Sequence, residues 1–173
     1  MSGRGRPIVK HPDPRLVQKN DEVEIGKESS YIIRQLMHSM SNVRWGKAVG
    51  MAAPQIGINK RLFIVLFDFD HIHENDGKWG PQAFINPRIV EASKFRKKQE
   101  GCYSLEANRF DYEAKRPDKL TIEYQDVFGE MHREQFTGRM AQIVHHEYEH
   151  LEGRICAQPA KKKAKVGGAK ETD

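Results

Sequence analysis

A chain of 173 residues with 38% hydrophobic and 31% charged side chains is long enough for one domain with a buried core. No apolar run approaches the ~20 residues of a membrane span, and two distant cysteines, Cys102 and Cys156, exclude a disulfide scaffold. The net charge of +5 is uneven: Lys161, Lys162, Lys163, Lys165 and Lys170 against Glu171 and Asp173 give residues 160–173 a net +3. The remainder is only mildly basic, so neither a DNA-binding surface nor a membrane partner is implied.

The start, MSGRGRPIVK, lacks the apolar segment of a secretory signal. A cytoplasmic setting with reduced thiols is expected, or an organelle in a eukaryote. Ile8 to Leu16, IVKHPDPRL, has two prolines around Asp13 and reads as an extended arm with a turn. From Asp21 to Met40, Ile25, Ile32, Ile33, Leu36, Met37 and Met40 keep helical spacing and predict the first helix. Trp45 to Gly57 reads as a glycine- and proline-containing loop, and Arg61 to Phe69 as a buried strand. His71 to Gly80 is a polar connection. Ala83 to Glu91 predicts a strand broken at Asn86-Pro87, and Phe95 to Leu105 leads into Glu100-Gly101-Cys102-Tyr103-Ser104. Lys119 to Gln125 alternates as a half-buried strand, turns at Phe128-Gly129 and returns over Met131 to Phe136. A helix over Gly138 to Gly153 follows, then a short extended end from Arg154 to Gln158. Strands followed by one late helix predict an α+β fold, with mixed or antiparallel strands packed around the C-terminal helix. Residues 1–158 are expected to form a single domain. Residues 159–173 form a lysine-rich segment expected to be disordered, either simply solvated or in electrostatic contact with RNA.

The late helix carries His146-Glu147-Tyr148-Glu149-His150. At about 100° per residue, Arg139, Ile143, His146 and His150 share one face. Met140, Val144 and Leu151 form an apolar stripe beside it, Glu147 lies between, and Gln142, His145, Glu149 and Glu152 lie on the far, polar side. An i, i+4 histidine pair converges on one point, as a metal requires. The carboxylate beside the first histidine can take a proton from an attacking water. Two cysteines compete for the third ligand. Cys156 completes H-E-x-x-H-x-x-G-x-x-C, the metzincin spacing with cysteine for histidine; Cys102 is remote in sequence.

Three short motifs, GMAAPQ (Gly50 to Gln55), EGCYS (Glu100 to Ser104) and HEYEHLEG (His146 to Gly153), stand in the order found in peptide deformylases. HPDPRL (His11 to Leu16), INP (Ile85 to Pro87) and the Asp126 to Glu130 turn sit where that family has them. From Ile8 to Ile155 the sequence resembles it. The resemblance implies that Cys102, His146 and His150 bind one divalent metal: ferrous iron, with zinc, nickel or cobalt able to replace it. It implies Glu147 as the catalytic base, and the Gln55 side-chain amide with the Tyr103 backbone N–H as oxyanion donors. It places Val49, Gly50, Arg109 and Ile143 against an N-formylmethionyl peptide, whose formyl group would be released as formate. Gly50 and its small neighbours would let the loop backbone approach that peptide. A monomer is expected, with weak ribosome contact through the basic segment. Arg116 is placed to pair with Glu100 or Glu149.

The pattern has departures. Ala48 replaces a leading glycine, Tyr103 a leucine, Glu149 an aspartate and His145 a common glutamine, while Lys98 and Arg139 occupy positions around the methionine pocket that are often apolar. Two rival readings remain at this stage: another HExxH metal-dependent peptidase or amidase with Cys156 as ligand, and a catalytically inactive, ribosome-binding relative.

Overall fold

The computed structural model describes residues 5–43, 49–67, 80–105 and 112–155. Arg109, Cys156, Ala48, the connection over residues 71–79 and the lysine-rich segment lie outside the described residues. Among the described residues, five strands form one sheet in sequential order: β1 (Gly50–Ala52), β2 (Leu62–Phe67), β3 (Gly80–Glu100), β4 (Tyr112–Gln125) and β5 (Met131–Thr137). Every neighbouring pair is antiparallel. The only parallel pairing among the described residues is an isolated bridge, Asp21 with Lys60. Two helices, α1 (Lys27–Ser41) and α2 (Gly138–Leu151), complete the α+β fold.

The continuous apolar run of β2 is explained by burial on both faces. Phe63, Val65 and Phe67 join Phe84, Leu120, Ile122 and Phe136 in a core closed by Ala141, Val144 and Leu151 of α2. Leu62 and Ile64 point the other way, into a core with Met51, Ile56, Ile85 and Ile32, Leu36 and Met40 of α1. The rings of Phe63 and Phe84 stack at 4.7 Å across the β2–β3 pair. No helix among the described residues is long and apolar enough to cross a membrane.

Four expectations need correction. The first helix starts at Lys27, not Asp21. Residues before it are claimed by the sheet: Val23 N–H donates to Asn86 Oδ1 at 2.8 Å, Asn86 Nδ2 returns a bond to the Val23 carbonyl at 3.0 Å, and Gly26 sits at the helix cap with φ 116°. The Trp45–Gly57 segment is not all loop, because Gly50–Ala52 pairs with Phe63–Val65 and Ala53–Ile56 forms a 3-10 turn. Asn86-Pro87 does not break its strand. The register slips between Ile85 and Arg88, so proline falls in a bulge, where no ladder donor is needed. β4 begins at Tyr112 rather than Lys119, since Pro117 and its charged neighbours pair with Phe95–Gln99 despite poor strand propensity.

Candidate active site

The strands deliver three segments to one face of α2. β1 and its 3-10 turn bring Gly50 and Gln55. The end of β3 brings Glu100 and the turn holding Cys102 and Tyr103. The helix brings His146, Glu147 and His150, and it stops where Gly153 adopts φ 69°. Gly153 also lies against the Gln18 carbonyl, which would be 3.0 Å from an added Cβ.

One ligand atom each from Cys102, His146 and His150 lies within 4.8 Å of the others. Cys102 Sγ is 3.4 Å from His150 Nε2, which is 3.3 Å from His146 Nε2. A thiolate and two imidazoles bound tetrahedrally at ~2.0–2.3 Å stand about 3.3–3.6 Å apart, so these donors suit one ion. The local field favours a cation as well. Burial opposes a charge on His146, yet Cys102 and Glu100 outweigh it and raise its pKa well above the usual value.

A buried charge network orients the ligands. Glu100 Oε1 is 3.0 Å from His146 Nδ1, which leaves Nε2 for the metal side. Arg116, 1% exposed, binds both Glu100 oxygens and reaches Glu149 Oε2 at 2.7 Å. It therefore pairs with both expected partners. Burial raises the pKa of Glu100, but His146 and Arg116 overcome this and bring it to about 2. Beside Arg116, His145 turns Nδ1 to Arg116 Nη1 at 2.9 Å and its ring edge to Phe95. Burial and the Arg116 charge lower its pKa to about 4, so the ring is a neutral acceptor. The far, polar side of α2 is therefore not simply solvent-facing: Glu149 pairs with Arg116, His145 is buried, and the long β3–β4 pair covers that flank. Gln142 joins it, donating to the Gln99 carbonyl at 3.2 Å.

Glu147 is 4% exposed, and burial raises its pKa. Its Oε2 has no hydrogen-bond partner among the described residues. Gly50 is the reason that carboxylate fits: an added Cβ would stand 2.8 Å from Glu147 Oε1 and 2.9 Å from Cγ. This adds a second cause for glycine to the expected backbone approach of a peptide. Gly50→Ala is expected to lower kcat about a hundredfold by displacing the base, with a melting temperature close to the parent's. Comparing steady-state kinetics with a thermal melt checks it; full activity would show that the carboxylate can yield.

Gln55, 1% exposed, is fixed at both ends. Its Oε1 accepts from Ala52 N–H at 2.9 Å, while Nε2 faces Cys102 Sγ at 3.5 Å and Ser104 Oγ at 3.3 Å. The Tyr103 ring packs on the α1-side core, leaving its backbone in the catalytic turn. The Val49 carbonyl accepts from Leu66 N–H at 2.9 Å, and Ile143 packs partly on the α2 core. Lys98 is held by Asp118 at 2.8 Å, so its charge is neutralised within the sheet, whereas Arg139 is exposed. Sequence reasoning missed Ser104 as a partner of Gln55 and His145 as a partner of Arg116. Only the position of Ser104 inside EGCYS could have signalled its role.

Fold and donor set together suit a metal-dependent hydrolase. The chain belongs to the polypeptide deformylase family, whose model matches residues 5–166 and so runs past residue 158. It is 35% identical over 158 residues to the peptide deformylase of Chlorobaculum parvum, covering 91% of this chain and 80% of that protein. The Thermotoga maritima peptide deformylase structure superposes with a TM-score of 0.74 at 28% identity, over 88% of this chain and 95% of that one. The Acinetobacter baumannii enzyme, solved with Met-Ala-Ser bound, gives 0.76 at 26% identity, over 92% and 100%. The Synechococcus elongatus enzyme in complex with actinonin gives 0.75 at 27%, over 90% and 79%.

Proposed function

We propose that this chain hydrolyses the formyl amide of N-formylmethionyl peptides, with Cys102, His146 and His150 holding one divalent ion, ferrous iron by preference over zinc, nickel or cobalt. The observation that carries the reading is the close thiolate–imidazole–imidazole set with a buried, unsatisfied Glu147 oxygen beside it. When bound, the ion supplies Lewis-acid polarisation of the formyl carbonyl and acidifies the attacking water. Glu147 takes the water's proton and hands it to the departing amine nitrogen as the C–N bond breaks. Its raised pKa suits both halves of that exchange. The Gln55 amide and the Tyr103 N–H donate to the oxygen that gains charge as the carbon becomes tetrahedral. Val49, Gly50, Ile143 and Arg109 line the peptide. The bound Met-Ala-Ser of the Acinetobacter baumannii relative supports this substrate class.

Formate release from a formyl-Met-Ala-Ser peptide, by protein purified without oxygen and analysed for metal, tests the reading. About one ion per chain and stoichiometric formate are expected; a fully metallated protein releasing none would overturn it. The single domain over residues 1–158 remains part of this proposal, as does a monomeric state. Weak ribosome contact through residues 159–173 is supported by their net charge of +3. Co-sedimentation with ribosomes across salt, with and without that segment, decides it.

A further inference from the structure

The amino-terminal arm touches both proposed oxyanion donors. Val9 N–H donates to the Gln55 carbonyl at 2.7 Å, and His11 N–H donates to the Ser104 carbonyl at 2.8 Å. Between them the ammonium of Lys10, an otherwise exposed residue, donates to the Tyr103 carbonyl. The arm is anchored on either side by buried Val9 and Leu16. It is held further upstream by Arg6 Nε on the Ile56 carbonyl at 2.8 Å and by Ser39 Oγ on the Arg6 carbonyl at 2.8 Å.

The Tyr103 carbonyl has a particular place. Leu105 N–H donates to the Cys102 carbonyl at 3.1 Å, so Cys102 to Leu105 is a β-turn with Tyr103 and Ser104 at its centre. The central peptide of such a turn can adopt two opposed orientations, which distinguish the type I and type II families. The Tyr103 carbonyl belongs to that peptide. That peptide joins Tyr103 to Ser104, whose hydroxyl accepts from Gln55 Nε2, so its orientation bears on the aim of that amide. A cation on the carbonyl selects one orientation.

We infer that Lys10 is a positioning residue that locks the central peptide of the Cys102–Leu105 turn, and through Ser104 holds the aim of Gln55 Nε2. The inference rests on the oxyanion reading above. Its test compares Lys10→Met, which keeps the stem and removes the charge, with Lys10→Arg, which keeps a donor.

Lys10→Met is expected to lose about tenfold in kcat, part of the roughly 10²–10³ that loss of a whole oxyanion donor costs. KM should stay within about twofold, since formyl-peptide binding does not use this turn's charge. Lys10→Arg should recover most of the loss. Metal content and melting temperature should match the parent. In the metal-free protein, ¹⁵N relaxation dispersion should show new microsecond–millisecond exchange at Tyr103 and Ser104 in Lys10→Met, with β5 amides unchanged. Unchanged kcat, a loss that follows metal content or melting temperature, or no rescue by arginine would overturn the inference. Gln55→Ala separates it from its premise. If the parent is inactive, or Gln55→Ala retains full kcat, the oxyanion reading falls and takes the Lys10 role with it. If the parent is active, Gln55→Ala is impaired and Lys10→Met is indifferent, only the Lys10 role falls.

Discussion

Glu147→Gln is expected to abolish measurable formate release while leaving the fold and the bound metal in place. The glutamine is isosteric, so it fits the space that Gly50 leaves and keeps the ligand histidines of α2 in register. What it removes is the proton acceptor. A positioned base contributes about 10²–10⁴ in rate, and here the same carboxylate also returns the proton to the amine, so the loss should lie at the upper end. Stability should not fall. Glu147 is buried with one oxygen unpartnered, and taking an ionisable carboxyl out of such a place relieves a desolvation cost. Single-turnover formate assays with metal analysis and a thermal melt check all three points. Activity within tenfold of the parent would move the base role elsewhere.

Arg116→Met should damage stability and metal binding together. Arg116 is the countercharge for Glu100, which is 7% exposed, and for the less buried Glu149. Removing one partner of a buried pair leaves the other charge uncompensated, at about 3–5 kcal/mol. For a domain of this size that corresponds to roughly 10 °C in melting temperature. Glu100 also holds His146 through Nδ1, and loosening that contact should weaken metal affinity about 10–100-fold. His145 would lose the donor facing its Nδ1, adding to the penalty. Thermal denaturation of the metal-free protein isolates the first effect, and competition with a chelator measures the second. A melting temperature within 2 °C of the parent, at an order-of-magnitude scale of a few °C per kcal/mol, would mean that Glu100 finds another partner or takes up a proton.

The two predictions differ because the two carboxylates are differently placed. Glu100 is ionised and paired, and its charge serves orientation; Glu147 has one oxygen with no partner among the described residues, open to take a proton. Both lie near His146. Their environments separate them, with Arg116 beside one and the apolar flank of α2 beside the other.

Periodicity and spacing made α2 and its histidine face legible, because 3.6 residues per turn is a local property. The buried strand β2 and the β4–β5 hairpin were legible for the same reason: two-sided and one-sided burial leave different apolar patterns in a short window. The bounds of α1 and β4 were not. Asn86 captures Val23 from a distant strand, and Pro117 is carried into the sheet by the pairing of Phe95 to Gln99. Such partners lie far apart in the chain and leave no trace in a local window.

The donor set shows the same division. Spacing named His146 and His150 and left Cys102 and Cys156 in competition. The resemblance favoured Cys102, and the fold brings it to the histidines from the end of β3. Gly50 could be read as a glycine needed for close approach, but that the approach is to Glu147 follows only from β1 crossing α2. His145 and Glu149 fall on the polar side of a helical wheel, yet His145 is buried and Glu149 half-buried because the β3–β4 pair extends over that side. Lys10 reads as one charge among many until the arm lays it on the Tyr103 carbonyl. By itself the sequence determined which residue types could do the chemistry and the local elements that carry them. That Cys102 lies beside the two histidines, which carboxylate pairs with Arg116, and what touches the Tyr103 carbonyl were decided by tertiary contacts, because each depends on the desolvation and distance of groups brought together only by folding.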